Sequence, residues 1–448
     1  MVSDRGQTRL NADTELPSSS EIFLERYGTG LRRLGRNLAW LGTGEVLVKA
    51  GLLIIAVLVA RGMGTEGMGV FTVASAGSIL AITLISFGQV ELLIRDSARA
   101  PEDAAQLLAA SRRFRFRVLL LTLPILLVTV ALVSDPILQA GLLAFLPYVV
   151  LRVEVMTATA VFKGRDQMDV EVRARSLEIG LALLIVILLV LFDAPPWTTG
   201  LALSLGAAAA AVWLWPRLRT LADGTESDRS GPAPRELARQ GATFLGVSLT
   251  LQFLYRHDTM LMAAFGLSND EIGVYGSAVV PTLGLLAIPQ LVAYAVYPTF
   301  SRRAAAGRRP AMTGTLAALA GLGAGTACAV AVSILRRPFI LWLGTEYLGA
   351  VDLLGWLAWI LPGLGVTLLT SVVHAAWNQQ GRLFWAMLTA FVAAFVLNLW
   401  QIPAAGALGA ARVAVGVHSV LGLSLWLLTL SPSQSNAQSN SQVPKEGA

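Results

Sequence analysis

Three ionisable residues, Arg256, His257 and Asp258, stand side by side inside an otherwise apolar stretch, LQFLYRHDTMLMAAFG. Such side chains are costly in hydrocarbon, so by default they face a cavity or a partner. Arg256 and Asp258 would point about 200° apart on a helix and cannot meet at one spot. A guanidinium held at this depth can bind a phosphate or carboxylate through two hydrogen bonds. Asp258 and His257 can instead bind a proton or a cation.

Two further pairs of ionisable residues interrupt apolar segments nearer the N-terminus. Glu45 and Lys49 are four residues apart, so they share a helical face and can neutralise each other. Arg152 and Glu154 are two residues apart and diverge by about 200° on a helix. At least one of them therefore needs a partner on another helix, or water.

These patterns predict two sets of site residues. The cations expected to bind an anionic substrate are Arg256, Lys49 and Arg152. The groups expected to bind the coupling ion are Asp258, His257, Glu154 and Glu45. The alternative in each case is a structural ion pair that only neutralises buried charge.

The composition restricts the class of protein. The chain is 55% hydrophobic and 14% charged, whereas soluble domains are about 25% charged, so we expect an integral membrane protein. One cysteine and three scattered histidines exclude an intramolecular disulfide and favour neither a metal site nor a redox cofactor. The net charge of +6 is expected to report membrane orientation rather than a nucleic-acid partner.

Twelve apolar segments are long enough to be candidates for crossing the membrane, which predicts an all-α polytopic fold. Their approximate bounds are 37–60, 68–92, 118–134, 137–162, 177–193, 196–216, 240–266, 273–299, 313–335, 350–377, 383–401 and 406–430. With the N-terminus inside, the cytoplasmic connections hold 27 Lys and Arg residues and the outer ones three. This asymmetry predicts that both termini are cytoplasmic, in the inner membrane.

An internal repeat divides the chain into halves. With an offset of 204, GMGTEGMGVFTVASA (62–76) aligns with GLSNDEIGVYGSAVV (266–280). Both stretches join the first and second spans of a half, so we expect two six-helix lobes related by a parallel pseudo-twofold axis. The expected domains are a basic leader (1–36), an N-lobe (37–216), a cytoplasmic linker (217–239), a C-lobe (240–430) and a disordered tail (431–448).

An enzyme is disfavoured by the same sequence. It has no GxxxxGK[ST] phosphate loop. The longest outer connection is too short for a catalytic domain, and no single loop pairs carboxylates or combines a nucleophile with a base. We therefore expect neither catalytic residues nor a cofactor.

Four segments together resemble Wzx-type oligosaccharide flippases, which belong to the multidrug, oligosaccharidyl-lipid and polysaccharide exporter superfamily. They are RNLAWLGTGEVLVKAGLLIIAVLVARGMGTEGMGVFTVASAGSIL, FGQVELLIRD, VFKGRDQMDVEVRARSLE and DTMLMAAFGLSNDEIGVYGSA. The resemblance covers roughly residues 37–430 and depends on the order and spacing of the segments.

The resemblance implies that the protein moves a polyprenyl-diphosphate-linked glycan from the inner to the outer leaflet, driven by H⁺ or Na⁺. The partners it implies are the lipid-linked glycan, membrane lipids and proteins of polysaccharide assembly. A cation-coupled drug exporter of the same superfamily is the alternative. A net basic cavity would favour the flippase, and a net acidic cavity the drug exporter.

Overall fold

The computed structural model describes residues 19–223, 232–306 and 308–431. Every regular element in these ranges is helical. The α-helices are α1 (Ser19–Ser86), α2 (Gln89–Arg99), α3 (Ala104–Ala131), α4 (Pro136–Gly164), α5 (Met168–Leu191), α6 (Thr198–Asp223), α7 (Pro234–Ala264), α8 (Asn269–Gly284), α9 (Ala287–Ala305), α10 (Pro310–Leu343), α11 (Ala350–Leu357), α12 (Ile360–Ala376) and α13 (Gln380–Leu430). Short 3₁₀ turns lie at Pro101–Asp103 and Thr345–Tyr347.

The predicted all-α fold with twelve crossings is confirmed. Nine segments of the described chain are long and apolar enough to span a membrane. Two of them are kinked pairs of crossings, divided in α1 at Gly64 (φ 69°) and in α13 at Gly406 (φ 55°), a conformation that glycine adopts without steric cost. The remaining crossing is α7, whose apolar run is interrupted by the three adjacent ionisable residues.

The ends of the bundle differ in charge. We call the end that carries residues 93–117, 163–176 and 217–223 the basic end, and the end that carries the Gly64 and Gly406 kinks the opposite end. Between them, large apolar side chains at least 65% exposed cover the outer surface, as expected for contact with lipid. They include Leu121, Ile125, Leu191, Val212, Ile334 and Trp400.

The two repeated segments pack directly against each other at the opposite end. A Cβ atom on Gly69 would lie 1.9 Å from the carbonyl oxygen of Asn269, and one on Gly273 would lie 1.9 Å from that of Thr65. Positions 65 and 269, like 69 and 273, differ by the repeat offset. The two contacts are therefore related by the pseudo-twofold axis between the lobes, as in an isologous interface.

Several helices are longer than the hydropathy pattern indicated. α3 begins at Ala104 rather than near 118, and α5 begins at Met168 rather than near 177. Within their N-terminal halves, Arg115 of α3 and Glu178 of α5 are paired with Glu154 and Arg152 on α4, which makes these charged stretches compatible with the interior of the bundle. α6 and α7 likewise extend into the expected linker, of which residues 224–231 lie outside the described residues.

The terminal segments are described only in part. α1 begins at Ser19 and is continuous with the first crossing, so the basic leader enters the bundle as part of one helix. Residues 1–18 of the expected leader and residues 432–448 of the expected tail lie outside the described residues.

The eighth crossing is broken close to Pro289. α8 ends and α9 begins around Leu285 and Leu286. Pro289 has no N–H for the carbonyl four residues earlier, which belongs to Leu285, and its ring crowds that carbonyl. Leu285 instead accepts a hydrogen bond from the backbone of Ile288 at 3.1 Å.

Candidate substrate and ion sites

A lateral groove runs between the lobes in the half of the bundle toward the opposite end. It encloses about 810 Å³ and is lined by α1, α3, α4 and α7 and by the loops after α3 and α7. Most of its lining is apolar. This volume lies in the range of about 300–1,000 Å³ that is typical of ligand sites.

Arg256 lies on the α7 face that lines this groove. Phe253 and Met260, which are three residues before it and four after it on the same face, both line the groove. Arg256 is ten residues before Gly266, a rise of about 15 Å. Within the described ranges it has no salt bridge or hydrogen bond, and its buried Nε has no partner. The guanidinium therefore lies on the groove side of α7 without a hydrogen-bonded partner, while Arg256 is not itself among the lining residues and interacts electrostatically with Asp258.

Asp258 points into the C-lobe instead. Its Oδ2 accepts a hydrogen bond from the hydroxyl of Tyr275 on α8, and its Oδ1 accepts one from the backbone N–H of Thr259 at 2.6 Å. Asp258 is 8% exposed and Tyr275 is fully buried. Both line a small cavity of about 30 Å³, which we call the C-lobe ion cavity. It is large enough for an ion or a water or two, but not for a glycan.

His257 borders the same cavity from α7. Its Nδ1 lies 2.8 Å from the carbonyl oxygen of Phe253, and its Nε2 lies 2.9 Å from Nδ2 of Asn398 on α13. The backbone carbonyl can only accept, so Nδ1 carries the hydrogen and Nε2 accepts from the Asn398 amide. Oδ1 of Asn398 is buried without a partner.

Glu45 and Lys49 form the ion pair that their spacing indicates. Lys49 Nζ lies 3.4 Å from Glu45 Oε1, and both side chains are about a quarter exposed. Lys49 also donates to the side-chain oxygen of Gln290 on α9, in the C-lobe. This lysine therefore lies between the lobes with only part of its charge neutralised.

Arg152 is held inside the N-lobe by a partner that the sequence analysis missed. Its Nη1 lies 2.8 Å from Oε2 of Glu178 on α5, and the two side chains are 9% and 1% exposed. Arg175 and Tyr148 lie close enough to interact electrostatically with this pair. Arg152 thus forms a buried structural contact, and its guanidinium is not open to the interlobe groove.

Glu154 faces the other way along α4, as the 200° divergence indicated. It accepts hydrogen bonds from Arg112 and Arg115 on α3, the first at 2.7 Å from Nε and the second at 3.3 Å from Nη2. Asp258 and Glu154 therefore belong to different lobes and do not form one ion site.

The predicted site residues are thus divided among four places: the groove face of α7, the C-lobe ion cavity, the α1 ion pair, and the buried pairs of α4. Sequence reasoning missed the partners that decide these environments, which are Glu178, Arg175, Arg112, Arg115, Tyr275, Asn398 and His418. Glu178, Asn398 and His418 were visible as polar residues inside apolar spans, but the sequence did not indicate which neighbours they would meet.

Both ends of the groove region are closed by contacts between the lobes. At the opposite end Thr65 bonds to Asp270. Near the same end Tyr347 donates to the carbonyl of Ala60 at 3.0 Å. At the basic end Gln89 of α2 donates to the carbonyl of Leu237 on α7 at 3.3 Å. A change of access therefore requires separation of these contacts.

Residues 34–303 match the family described as polysaccharide biosynthesis protein, which is more than half of the chain. The chain belongs to this family. The family and the fold are those of membrane transporters, and the chain is a multi-pass membrane protein. A comparison with the curated proteins finds no match.

The fold of this polysaccharide biosynthesis protein is similar to solved transporters. One is an inward-facing multidrug resistance MATE family transporter of the MOP superfamily, with a TM-score of 0.66, 13% identity, and coverage of 89% of this chain and 96% of that one. Another is the eukaryotic MATE transporter AtDTX14, with a TM-score of 0.64, 11% identity, and coverage of 92% and 99%. A third is the Vibrio cholerae MATE transporter VcmN in its bent form, with a TM-score of 0.56, 15% identity, and coverage of 92% of this chain and 99% of that one.

Proposed function

We propose that this protein is a flippase that moves a polyprenyl-diphosphate-linked oligosaccharide across the inner membrane by ion-coupled alternating access. In this proposal both termini are cytoplasmic, and the lobes (37–216 and 240–430) rock about the interface where the repeats meet. The head group crosses between the lobes while the lipid chain remains in contact with the bilayer.

The observation that carries the proposal is the free guanidinium of Arg256. A cation near mid-membrane without a partner is costly unless an anion or water reaches it. A diphosphate offers several oxygens in the geometry that a guanidinium binds through paired hydrogen bonds. The apolar groove on this side of α7 opens between the lobes and suits a substrate whose charged part is attached to a lipid.

Lys49 is the second cation we assign to the substrate. By the repeat offset of 204, Arg256 corresponds to Leu52 in the N-lobe. Leu52 is three residues after Lys49, so the two positions lie near the same face of the helix. The two cations thus occupy related places in the two lobes. Because Glu178 already engages Arg152, we assign Arg152 a supporting role inside the N-lobe rather than a substrate contact.

Among the residues that line the groove the one ionisable side chain is Asp135, so the support for a flippase over an exporter of cationic drugs comes from cations on neighbouring helices rather than from the lining. Arg112 and Arg115 share one acid, Glu154, whereas Arg152 and Arg175 lie near two, Glu178 and Glu45. The group on α3 therefore has one more positive charge than negative. A surplus of positive charge attracts an anionic head group and repels a cationic drug.

Coupling is assigned to the C-lobe ion cavity, with Asp258 as the ion-binding acid and His257 beside it. We assign Glu45 and Glu154 to pairing with the basic residues they contact. The separation of Arg256 and Asp258 on opposite faces of α7 lets one helix contact the substrate groove and the ion cavity together.

The decisive experiment measures translocation in proteoliposomes. The probe is a fluorescent polyprenyl-diphosphate oligosaccharide, and the readout is its access to a glycan-modifying enzyme outside the vesicle. We expect Arg256→Gln to abolish translocation and Arg256→Lys to retain part of it, because charge is kept but paired hydrogen bonding is lost. Arg412→Gln, which removes an exposed guanidinium near the opposite end of the C-lobe, is the matched control and should match the wild type.

The same vesicles distinguish the alternative function. The test substrate is an amphiphilic cation such as ethidium. If its export requires Asp258 but not Arg256, the result would favour the drug exporter. Wild-type translocation of the glycan probe by Arg256→Gln would remove Arg256 from the mechanism and, with it, the main support for a diphosphate substrate.

A further inference from the structure

The C-lobe ion cavity contains a second titratable group that is free to bind an ion. His418 on α13 lines it together with Asp258, Tyr275 and His257, while α11 and α12 contribute only apolar side chains. His418 is 4% exposed, and its Nε2 is buried without a hydrogen-bond partner. Buried polar atoms are seldom left unpaired in proteins, so such an atom needs an explanation.

The orientation of the His418 ring is fixed from two sides. Its Nδ1 lies 2.8 Å from the carbonyl oxygen of Ala414, which can only accept a hydrogen bond. The ring also stacks on Tyr255, with centroids 5.7 Å apart and an interplanar angle of 9°. Nδ1 therefore carries the hydrogen in the neutral ring. This leaves a lone pair on Nε2, the atom that accepts the next proton.

Asp258 supplies the opposite charge. Its carboxylate accepts hydrogen bonds from Tyr275 and from the backbone of Thr259. The titratable groups near His418 are Asp258, His257, Tyr255 and Tyr275, and Arg256 interacts electrostatically with Asp258 from the other side of α7. Asp258 is the one acidic residue that lines the cavity.

We propose that Asp258 and His418 together bind the coupling ion, and that this ion is a proton. Uptake of one H⁺ from water forms an N–H bond at Nε2 of His418, and the imidazolium then neutralises the Asp258 carboxylate. Release breaks that N–H bond and returns the proton to water on the other side. The inference deepens the transport function proposed above and rests on it for the coupling step.

The donor set favours a proton over Na⁺. Hard cations are held by several oxygen ligands, and nitrogen ligands suit softer metals. In this cavity the free atom is an imidazole nitrogen, and both Asp258 oxygens already accept hydrogen bonds. The cavity volume of about 30 Å³ is also small for an ion with its own shell of water.

Comparison of the lobes indicates that these polar groups are not required by the fold. The repeat aligns Tyr275 with Phe71, which is buried in the N-lobe core. By the same offset, Asp258 corresponds to Ile54, which is 48% exposed, and His418 corresponds to Leu214, which is buried. The N-lobe thus forms from apolar residues at positions where the C-lobe has an acid, a phenol and an imidazole. Burying these three polar side chains costs free energy, and binding of an ion by the C-lobe explains why they are there.

Proton binding can be tested without any transport substrate. The chain has three histidines, so ¹⁵N-histidine labelling of the full-length protein gives few signals, assigned with His257→Gln, His374→Gln and His418→Gln. We expect Nε2 of His418 to gain a proton reversibly between about pH 5 and 8. Replacing choline by Na⁺ at fixed pH should leave its signal unchanged. An Nε2 that stays unprotonated over this range, or a signal that responds to Na⁺, would overturn the proposal.

Transport then tests coupling. In proteoliposomes carrying the glycan probe, a pH gradient should stimulate the wild type, and a Na⁺ gradient alone should not. His418→Gln should lose this stimulation, whereas His374→Gln, a buried histidine outside the cavity, should keep it. If the wild type moves no glycan, the proposed function fails while the proton-binding result stands. If His418→Gln keeps full pH-gradient stimulation, the coupling inference fails and the flippase assignment survives.

Discussion

The buried pair between Arg152 and Glu178 predicts an asymmetric response to mutation. Glu178→Gln leaves Arg152 and its neighbour Arg175 as two buried cations without the acid they share, and Glu45 remains near Arg175 alone. Arg152→Gln removes one cation and leaves Glu178 facing Arg175. Loss of the acid should therefore destabilise the protein more than loss of the base, although both variants break the same ion pair.

The magnitude follows from the burial of the pair. Its side chains are 9% and 1% exposed, and breaking a buried pair typically costs about 3–5 kcal/mol. We assign that range to Glu178→Gln. For Arg152→Gln we expect about 1–3 kcal/mol, the cost of an unsatisfied buried polar group, because Arg175 continues to compensate the acid. The difference is about 2 kcal/mol, or about 4–8 °C in melting temperature if the N-lobe unfolds as one unit.

Thermal unfolding of the purified protein in detergent, followed by tryptophan fluorescence, measures this order. Arg173→Gln on the same helix is the control, because its pair with Asp169 is exposed and should contribute less than about 1 kcal/mol. Equal destabilisation by the two core variants, or a larger effect of Arg152→Gln, would refute the view that one acid serves two cations.

Two further predictions concern the lobe interface and the ion cavity. Gly69→Ala and Gly273→Ala each place a Cβ 1.9 Å from a backbone oxygen of the other lobe, so both should increase labelling of an engineered cysteine at the opposite end by a membrane-impermeant maleimide. Gly180→Ala is the control and should leave labelling unchanged, because a Cβ atom at this position has no neighbouring atom within 4 Å. Unequal effects of Gly69→Ala and Gly273→Ala would contradict the pseudo-twofold interface. Tyr275→Phe removes a bond to a carboxylate and should cost about 1.5–3 kcal/mol in thermal unfolding. As the comparison, Tyr347→Phe removes a hydrogen bond to a backbone carbonyl and should cost about 0.5–1.5 kcal/mol. A larger loss of stability in Tyr347→Phe than in Tyr275→Phe would argue against an ionised acid in the cavity.

Helix ends were predicted least well because hydropathy alone cannot show where charge is paired. Arg115 and Glu178 each lie in parts of α3 and α5 that a residue-by-residue scale treats as the start of a span or as loop. Their partners are 39 and 26 residues away in sequence. Once paired, they are compatible with the interior of the bundle, and the helices extend to include them.

The same limitation applies to the site. The sequence singled out Asp258 and Arg256 because ionisable residues are rare in apolar spans, and the helical period separated their directions. It gave His418 no special importance, because a single histidine in an apolar helix more often packs than binds an ion. Only the packing of α13 against α7 and α8 brings His418 to the cavity of Asp258.

Sequence alone determined the membrane environment, the twelve crossings, the division into two lobes and the membrane-buried charges. These properties follow from composition, from the length of apolar runs and from an internal repeat, all of which are local or periodic along the chain. Tertiary structure decided which charges are neutralised: Arg152 is paired with Glu178, whereas Arg256 is free among the described residues. The physical reason is that the energy of a buried charge depends on neighbours a few ångströms away, and those neighbours come from helices distant in sequence.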